Sequence, residues 1–177
     1  MEYRICTKVE IGMKRIKSQK ELVSLRGAFL HKISEQNRVS LPSNFKEALI
    51  NRGVKRLVAV KYPDCVRAWP EDEWSKREDG FSSLNLDDDK VSGYLRYLYA
   101  NIMDLEVDTQ GRIILPDSWK TEFAIKDQVL LVGMGGLCEV WNPEAYKFKQ
   151  KDLADQFAVN RSYVVELLEK RNRDEEH

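Results

Sequence analysis

The sequence has few of the side chains that build catalytic and metal sites. Its 177 residues include two histidines and three cysteines, and the cysteines (Cys6, Cys65 and Cys138) are widely spaced with no C-x-x-C pair. An odd number of scattered thiols indicates neither a disulfide framework nor a zinc site, and it fits a reducing cytoplasm. The G-x-S-x-G, H-E-x-x-H, P-loop and G-x-G-x-x-G motifs are absent as well. We therefore expect no enzymatic activity, no cofactor, no metal and no small-molecule substrate.

Long apolar runs are also missing. No segment approaches the ~20 apolar residues that cross a bilayer. The first residues lack the apolar stretch of a signal peptide. We therefore expect a cytoplasmic protein without a membrane partner.

Neither sign of charge is in excess, because 29 Lys and Arg balance 29 Asp and Glu. The charges are nevertheless unevenly distributed. Residues 1–32 hold eight basic and three acidic residues (+5), whereas residues 71–90 hold three basic and eight acidic residues (−5). Since the distribution of charge matters more than its sum, a neutral chain can still present a basic face to a nucleic acid.

An internal repeat is the most informative feature that is present. Sliding the sequence against itself by 74 residues aligns chemically unlike positions in one order. The aligned pairs include Arg38 with Arg112, Leu41 with Leu115, Pro42 with Pro116, Phe45 with Trp119 and Lys46 with Lys120. After a small drift in spacing, Cys65 faces Cys138 and Trp69 faces Trp141, and we interpret these four as packing residues. A long period with two copies indicates a duplicated domain, so we expect pseudo-two-fold symmetry.

Each copy has the pattern of a strand, a polar turn, a second strand, a short helix and two further strands. The turns cover residues 34–37 and 108–111 and end in Asn37 and Gly111, the residue types that best tolerate a positive φ. Ser43 and Asp117 stand where a helix N-cap belongs, and Gly53 is placed to end the first helix. The last two strands are predicted over 56–60 and 66–69, and over 129–132 and 137–141.

Amphipathic helices are predicted outside the two copies. Residues 87–101 have apolar side chains at helical spacing, and so do Leu153, Phe157, Val164 and Leu168 near the C-terminus. We divide the chain into an N-terminal extension (1–25), a first repeat (26–75), a linker with a helix (76–101), a second repeat (102–147) and a C-terminal helix and tail (148–177).

These segments resemble the MraZ family of bacterial transcription regulators. The stretch VDTQGRIILPDSW, followed by VLLVGMGGLCEVWNPEAY, is similar to the family's D-x-x-x-R signature and its apolar-Leu-Pro helix start. The stretch KISEQNRVSLPSNFKEAL, followed by AWPEDEW, resembles the matching first repeat. The resemblance implies an α+β, mostly β fold: a duplicated AbrB-like swapped-hairpin barrel with short helices. It also implies a homo-oligomeric ring, associated with the nucleoid, that binds double-stranded DNA at short direct repeats upstream of the division and cell-wall gene cluster.

Two features depart from the family pattern. Ser34 stands where the family usually has Asp, and Asn37 where it has Gly, whereas the second signature, from Asp108 to Arg112, is intact. Ser34 and Asn37 are both residue types that form turns, so we expect the first hairpin to be kept. The first turn could nevertheless lack an Asp–Arg or Asp–backbone contact that the family's Asp would make. The N-terminal extension is either a basic DNA-contacting arm or the product of an upstream start codon, with Met13 as the natural initiator.

The candidate DNA-contacting residues follow from the two turns. An arginine after a tight turn is held near the tip of a rigid hairpin, where its guanidinium can reach phosphates or the O6/N7 edge of guanine. The candidates are Arg38, Arg112, Asn37, Lys32, Lys46 and Arg26. The alternative interpretation makes both arginines structural, with Asp108 as a ready partner for Arg112.

Two functions other than DNA-binding regulation are open at this point. One is a ring-forming structural or protein-binding module without DNA-binding activity, which an acidic surface around Arg38 would favour. The other is an antitoxin of the AbrB type. Such antitoxins normally have one unit followed by a toxin-neutralising tail, so the duplication argues against this function.

Overall fold

The computed structural model describes residues 24–175. Within them the two repeats and the segments that flank them form eight strands and six helices. Almost all of the predicted N-terminal extension (1–25), and Cys6 with it, lies outside these residues. The strands are β1 (Leu25–Lys32), β2 (Arg38–Ser40), β3 (Arg56–Lys61), β4 (Val66–Pro70), β5 (Ile102–Glu106), β6 (Arg112–Ile114), β7 (Gln128–Gly135) and β8 (Cys138–Trp141). The helices are α1 (Ser43–Arg52), α2 (Glu71–Ser82), α3 (Asp89–Ala100), α4 (Asp117–Glu122), α5 (Pro143–Asp155) and α6 (Phe157–Glu175).

The two repeats exchange strands with each other. Six strands form one antiparallel sheet in the order β1-β7-β8-β4-β3-β5, and β2 pairs with β6 in a separate two-stranded ribbon. The first strand of each repeat therefore pairs with the third strand of the other, β1 with β7 and β5 with β3. Exchanging each strand for its counterpart in the other repeat (β1 for β5, β3 for β7 and β4 for β8) gives the same strand order, counted from the opposite edge. The predicted duplication, pseudo-two-fold symmetry and swapped hairpins are confirmed.

The expected barrel, however, is not closed. β1 and β5 are the two edges of the six-stranded sheet, and the ribbon is a separate sheet that touches the β1 edge through one isolated bridge, between Ile33 and Val39. Each ribbon strand is three residues long and is followed by a Leu-Pro pair. Because proline has no N–H to donate, the ladder of hydrogen bonds cannot continue through it. The ribbon therefore packs over one face of an open sheet.

The main core lies between that face and a layer made of the ribbon, α1 and α4. It is built from residues that match between the repeats, and all of them are buried: Val39 and Ile113, Leu41 and Leu115, Phe45 and Trp119. Burying each such side chain stabilises the fold by about 1.5–3 kcal/mol. Since the repeats share this core, neither can pack without the other.

Helices α2 and α3 cover the opposite face of the sheet. Along β3, Leu57 and Ala59 face the main core, whereas Val58 and Val60 face α2 and α3. The predicted helix at 87–101 is confirmed as α3, and the side chain of Asp88 caps it by accepting from two backbone N–H groups. No helix was predicted at α2, because Trp74 is its one fully buried residue and the apolar spacing is too sparse to indicate a helix.

The ends of the short helices differ in part from the prediction. Gly53 ends α1 as predicted, with a φ of 69° and its N–H donated to carbonyls of the last turn. The predicted N-caps Ser43 and Asp117 are wrong, since Pro42 and Pro116 occupy the cap positions and no side chain caps either helix. The reason is that each extended proline already places its carbonyl to accept the first helical hydrogen bonds.

The C-terminal segment forms two consecutive helices that meet at Gln156 rather than one. The side chain of Asn142 caps α5 by accepting from Glu144 and Ala145. The predicted apolar positions Leu153, Phe157, Val164 and Leu168 all lie on these helices and are exposed in the single chain. None of the helices in residues 24–175 is long and apolar enough to cross a membrane.

Candidate nucleic-acid interface

The β2–β6 ribbon brings the two hairpin arginines onto one surface. Arg38 pairs with Ile114 and Arg112 pairs with Ser40, with Val39 opposite Ile113 between them. Because strand residues alternate, the buried central pair forces both arginines to the outward side. The Cα atoms of such diagonal neighbours are about 7–8 Å apart. The structure therefore places Arg38 and Arg112 together at the centre of the outer surface of the ribbon, close to the pseudo-two-fold axis.

The backbone is the same in the two turns. The N–H of Ser34 bonds to the carbonyl of Arg38 over 3.0 Å, and the N–H of Asp108 bonds to that of Arg112 over 2.9 Å. Asn37 and Gly111 have φ values of 58° and 70°, as their residue types predicted. The carbonyls of these two residues each accept the N–H of the other repeat's leucine, Leu115 and Leu41. Each turn is thus fixed by the partner repeat.

The first residue of each turn organises the backbone through its side chain. The carboxylate of Asp108 accepts the N–H of Gln110 and of Arg112, each over 2.9 Å. In the first turn, Oγ of Ser34 accepts the N–H of Arg38 over 3.1 Å. Ser34 therefore keeps one of the two backbone contacts that Asp108 makes, the one to the N–H of the arginine.

The two arginines differ in what holds their guanidinium groups. Nε of Arg112 donates to Oδ2 of Asp108 over 2.7 Å. The backbone N–H of Arg112, and then its guanidinium, lower the pKa of the Asp108 carboxyl below its ordinary value. Arg38 is exposed, and no described side chain or carbonyl receives a hydrogen bond or ion pair from its guanidinium. The structural alternative thus applies to Arg112 alone, and its two terminal guanidinium nitrogens donate to no described residue.

Two lysines on the short helices, Lys46 on α1 and Lys120 on α4, contact residues of the turns. Lys120 donates to the Asn37 side chain over 2.7 Å, and the same amide donates to Asp117 over 2.7 Å. In the other half, the stem of Lys46 lies over Gly111, where a Cβ would stand 2.6 Å from it, and its ammonium donates to Ser40. Lys120 and Asp117 were missed as site residues, although the 74-residue offset that aligns Lys46 with Lys120 pointed to the lysine.

Comparison with known sequences decides the family. A family model described as "MraZ protein, putative antitoxin-like" matches residues 24–96 and again residues 98–161. The chain belongs to the MraZ family. The two matches meet between the repeats, so each covers one copy of the strand-turn-strand unit.

Relatives in this family match over most of their own length. A transcriptional regulator MraZ of Limosilactobacillus reuteri (strain DSM 20016) is 29% identical over 133 residues, which cover 75% of this chain and 92% of the relative. One of Thermomicrobium roseum is 29% identical over 128 residues, covering 72% and 88%. One of Syntrophomonas wolfei is 28% identical over 141 residues, covering 80% and 96%.

The remaining candidates of the MraZ site lie at different distances from the ribbon. Lys32 ends β1 close to the first turn and is exposed. Arg26 lies six residues earlier on the same strand, about 20 Å away, with its Nε donated to Ser24. The structure therefore groups Lys32 with Arg38 and Arg112, and it does not bring Arg26 to them.

Cys65, Cys138 and the tryptophans of this MraZ chain lie in its packed interior, as predicted. Cys65 and Cys138 are free and buried, and burial is the first cause that raises the pKa of each thiol to about 12. Trp69, Trp119 and Trp141 are buried too. These five residues therefore serve packing in the described chain rather than base stacking or thiol chemistry.

Proposed function

We propose that this chain is a sequence-specific DNA-binding transcription regulator that acts as a homo-oligomeric ring. Its targets would be short direct repeats upstream of the division and cell-wall gene cluster, and its place in the cell the nucleoid. The observation that carries the proposal is that Arg38 and Arg112 lie side by side, as diagonal neighbours, on the outward surface of the ribbon. The names of the relatives, transcriptional regulators, support it.

The two arginines would have different tasks on DNA. Arg38, which is free of partners in the described chain, is suited to a two-pronged contact with guanine O6 and N7. Arg112 is held by Asp108 through Nε alone, so its terminal nitrogens remain to bind a phosphate. One base contact beside one phosphate contact would combine sequence choice with positioning.

Assembly would supply the affinity that one neutral chain lacks. A single ribbon offers few positive charges. Because each phosphate contact releases only about one counterion from the DNA, a single ribbon gains little affinity from this release. Several ribbons on one ring can engage several repeats at once, which raises apparent affinity by about 10²–10⁴ without a new contact. Direct repeats on the DNA would match the repeated ribbons of the ring.

The test is a salt titration of binding by fluorescence anisotropy. The full-length protein, shown to be folded and oligomeric, is titrated onto a duplex from upstream of its own gene and onto a scrambled duplex of equal length. We expect tighter binding to the native duplex and an affinity that falls steeply as salt rises. Equal or absent binding to both duplexes would reject the regulator and favour a ring-forming structural module.

A further inference from the structure

An apolar groove with a basic rim lies beside the second hairpin turn. It has a volume of about 400 Å³ and runs between the C-terminal half of α1 and residues 107–111. Leu49, Val54 and Val107 line its floor, and Ile50 stands at its edge with 73% of its surface exposed. For scale, an apolar cavity of about 150 Å³ takes a benzene ring, so this groove has room for two leucine side chains.

The rim of the groove is positively charged. Lys46 and Lys55 flank it, and the ammonium of Lys55 makes no hydrogen bond or ion pair to any described residue. Asp108 is the one carboxylate of the lining, and Arg112 and the turn amides already hold it. A segment that combines exposed apolar side chains with acidic ones would complement such a groove.

The corresponding surface of the other repeat is different. There the position of Gly111 is taken by Asn37, whose side chain is bound to Asp117 and Lys120. Ala124 stands where the first repeat has Ile50. The large apolar edge is therefore a property of one half only, and the duplicated fold does not require it.

The loop between α2 and α3 has the complementary chemistry. Leu84 and Leu86 are 43% and 63% exposed on it, and Asp87, Asp88 and Asp89 follow directly. Asp88 is used to cap α3, but the carboxylate of Asp87 is bound to nothing in the described chain. Two exposed leucines ahead of three aspartates fit a groove with an apolar floor and lysines on its rim.

The loop and the groove of one chain lie on opposite sides of the sheet. α1 packs on the face that holds the main core, and α2 and α3 pack on the other. We propose that the 84–89 loop of one copy docks into the α1 groove of the next copy, through Leu84 and Leu86 on the floor and Asp87 against Lys55. This head-to-tail contact rests on the proposed assembly, and such contacts close into rings when the rotation between copies allows it.

The test uses mixtures of two variants, because a head-to-tail contact has two distinct halves. Ile50→Asp breaks the groove and Leu86→Asp breaks the loop; both residues are mostly exposed, so the fold of the single chain is kept, as a circular dichroism melt checks. We expect each variant alone to sediment as a monomer. An equimolar mixture should give a 1:1 dimer and nothing larger, since one groove and one loop remain intact. Phe148→Asp, on α5 and 77% exposed, is the matched control and should assemble like the wild type.

A charge exchange tests the polar part of the contact. Lys55→Glu and Asp87→Lys should each weaken assembly at low salt, and the double variant should restore it. The contact is overturned if Ile50→Asp or Leu86→Asp still forms the oligomer of the wild type, or if the mixture forms no dimer. Neither result contradicts the proposed ring itself. A monomeric wild type overturns both. DNA binding is measured separately, so assembly as expected without selective binding would reject the regulator and not the contact.

Discussion

The two repeats have one backbone and two different surfaces at their turns. The backbone hydrogen bonds of residues 34–38, at 3.0 and 2.9 Å, are reproduced at 108–112, at 2.9 and 2.8 Å. The side chains diverge: Asp108 holds Arg112, whereas Ser34 supports only the backbone and leaves Arg38 unbound. Duplication thus preserves the contacts that the shared core requires, and it permits change where a side chain faces solvent.

The largest expected effect tests whether the repeats are energetically separate. Leu41→Asp and Leu115→Asp occupy matching buried positions in the two halves. Each places an unpaired charge in the common core, so each should cost more than ~4 kcal/mol and unfold the whole chain rather than one half. Urea denaturation followed by circular dichroism measures it. A variant in which one repeat stays folded would show that the two halves do not form one core.

An intermediate effect separates the two arginines in binding. Arg38→Ala should lower affinity for the native duplex by about 1–3 kcal/mol and reduce the preference over a scrambled duplex. Arg112→Ala should lower affinity for both duplexes alike and flatten the salt dependence by about one counterion. Arg96→Ala removes the same charge from α3 on the opposite face and is the control. Unchanged affinity of Arg38→Ala at physiological salt would refute its assignment as a DNA contact.

The smallest effect exchanges the first residue of the turns. Asp108→Ser gives the second turn the side chain of the first and should lower the melting temperature slightly at neutral pH, because the contact to Arg112 is lost. The carboxyl's pKa is lowered in the fold, so its contribution is present above the ordinary value of 3.8 and disappears as pH falls through the lowered value. The difference in melting temperature between Asp108→Ser and the wild type should therefore disappear at acidic pH. Equal melting temperatures at pH 7 would show that the contact adds no stability.

The interpretation of the turns succeeded because local rules govern them. A positive φ at Asn37 and Gly111, the end of α1 at Gly53 and the outward placement of Arg38 all follow from residue type and alternation along the strand. Helix α2 was missed because a helix with one fully buried side chain carries almost no apolar period. The N-caps were misplaced because the prolines before α1 and α4 took that position.

Residues of the site that act across the repeats were harder to predict. Asn37 was predicted as the last residue of the first turn and as a DNA contact, yet its side chain bridges Asp117 and Lys120 of the other repeat. Lys46 was predicted to contact DNA, yet its stem lies over Gly111 of the other repeat and its ammonium donates to Ser40. Both contacts across the repeats join positions far apart in the chain, so no local pattern contains them.

The duplication, the tight turns and the apolar face of each strand follow from the order of the residues alone, because hydrophobic alternation and the limits on φ act within a few residues. That each repeat's first strand pairs with the third strand of the other, and that the sheet stays open at β1 and β5, depended on the tertiary structure. The same holds for the difference between Arg38 and Arg112 and for the groove beside Gly111. These features depend on which distant side chains meet, and only the packing of one repeat into the other brings them together.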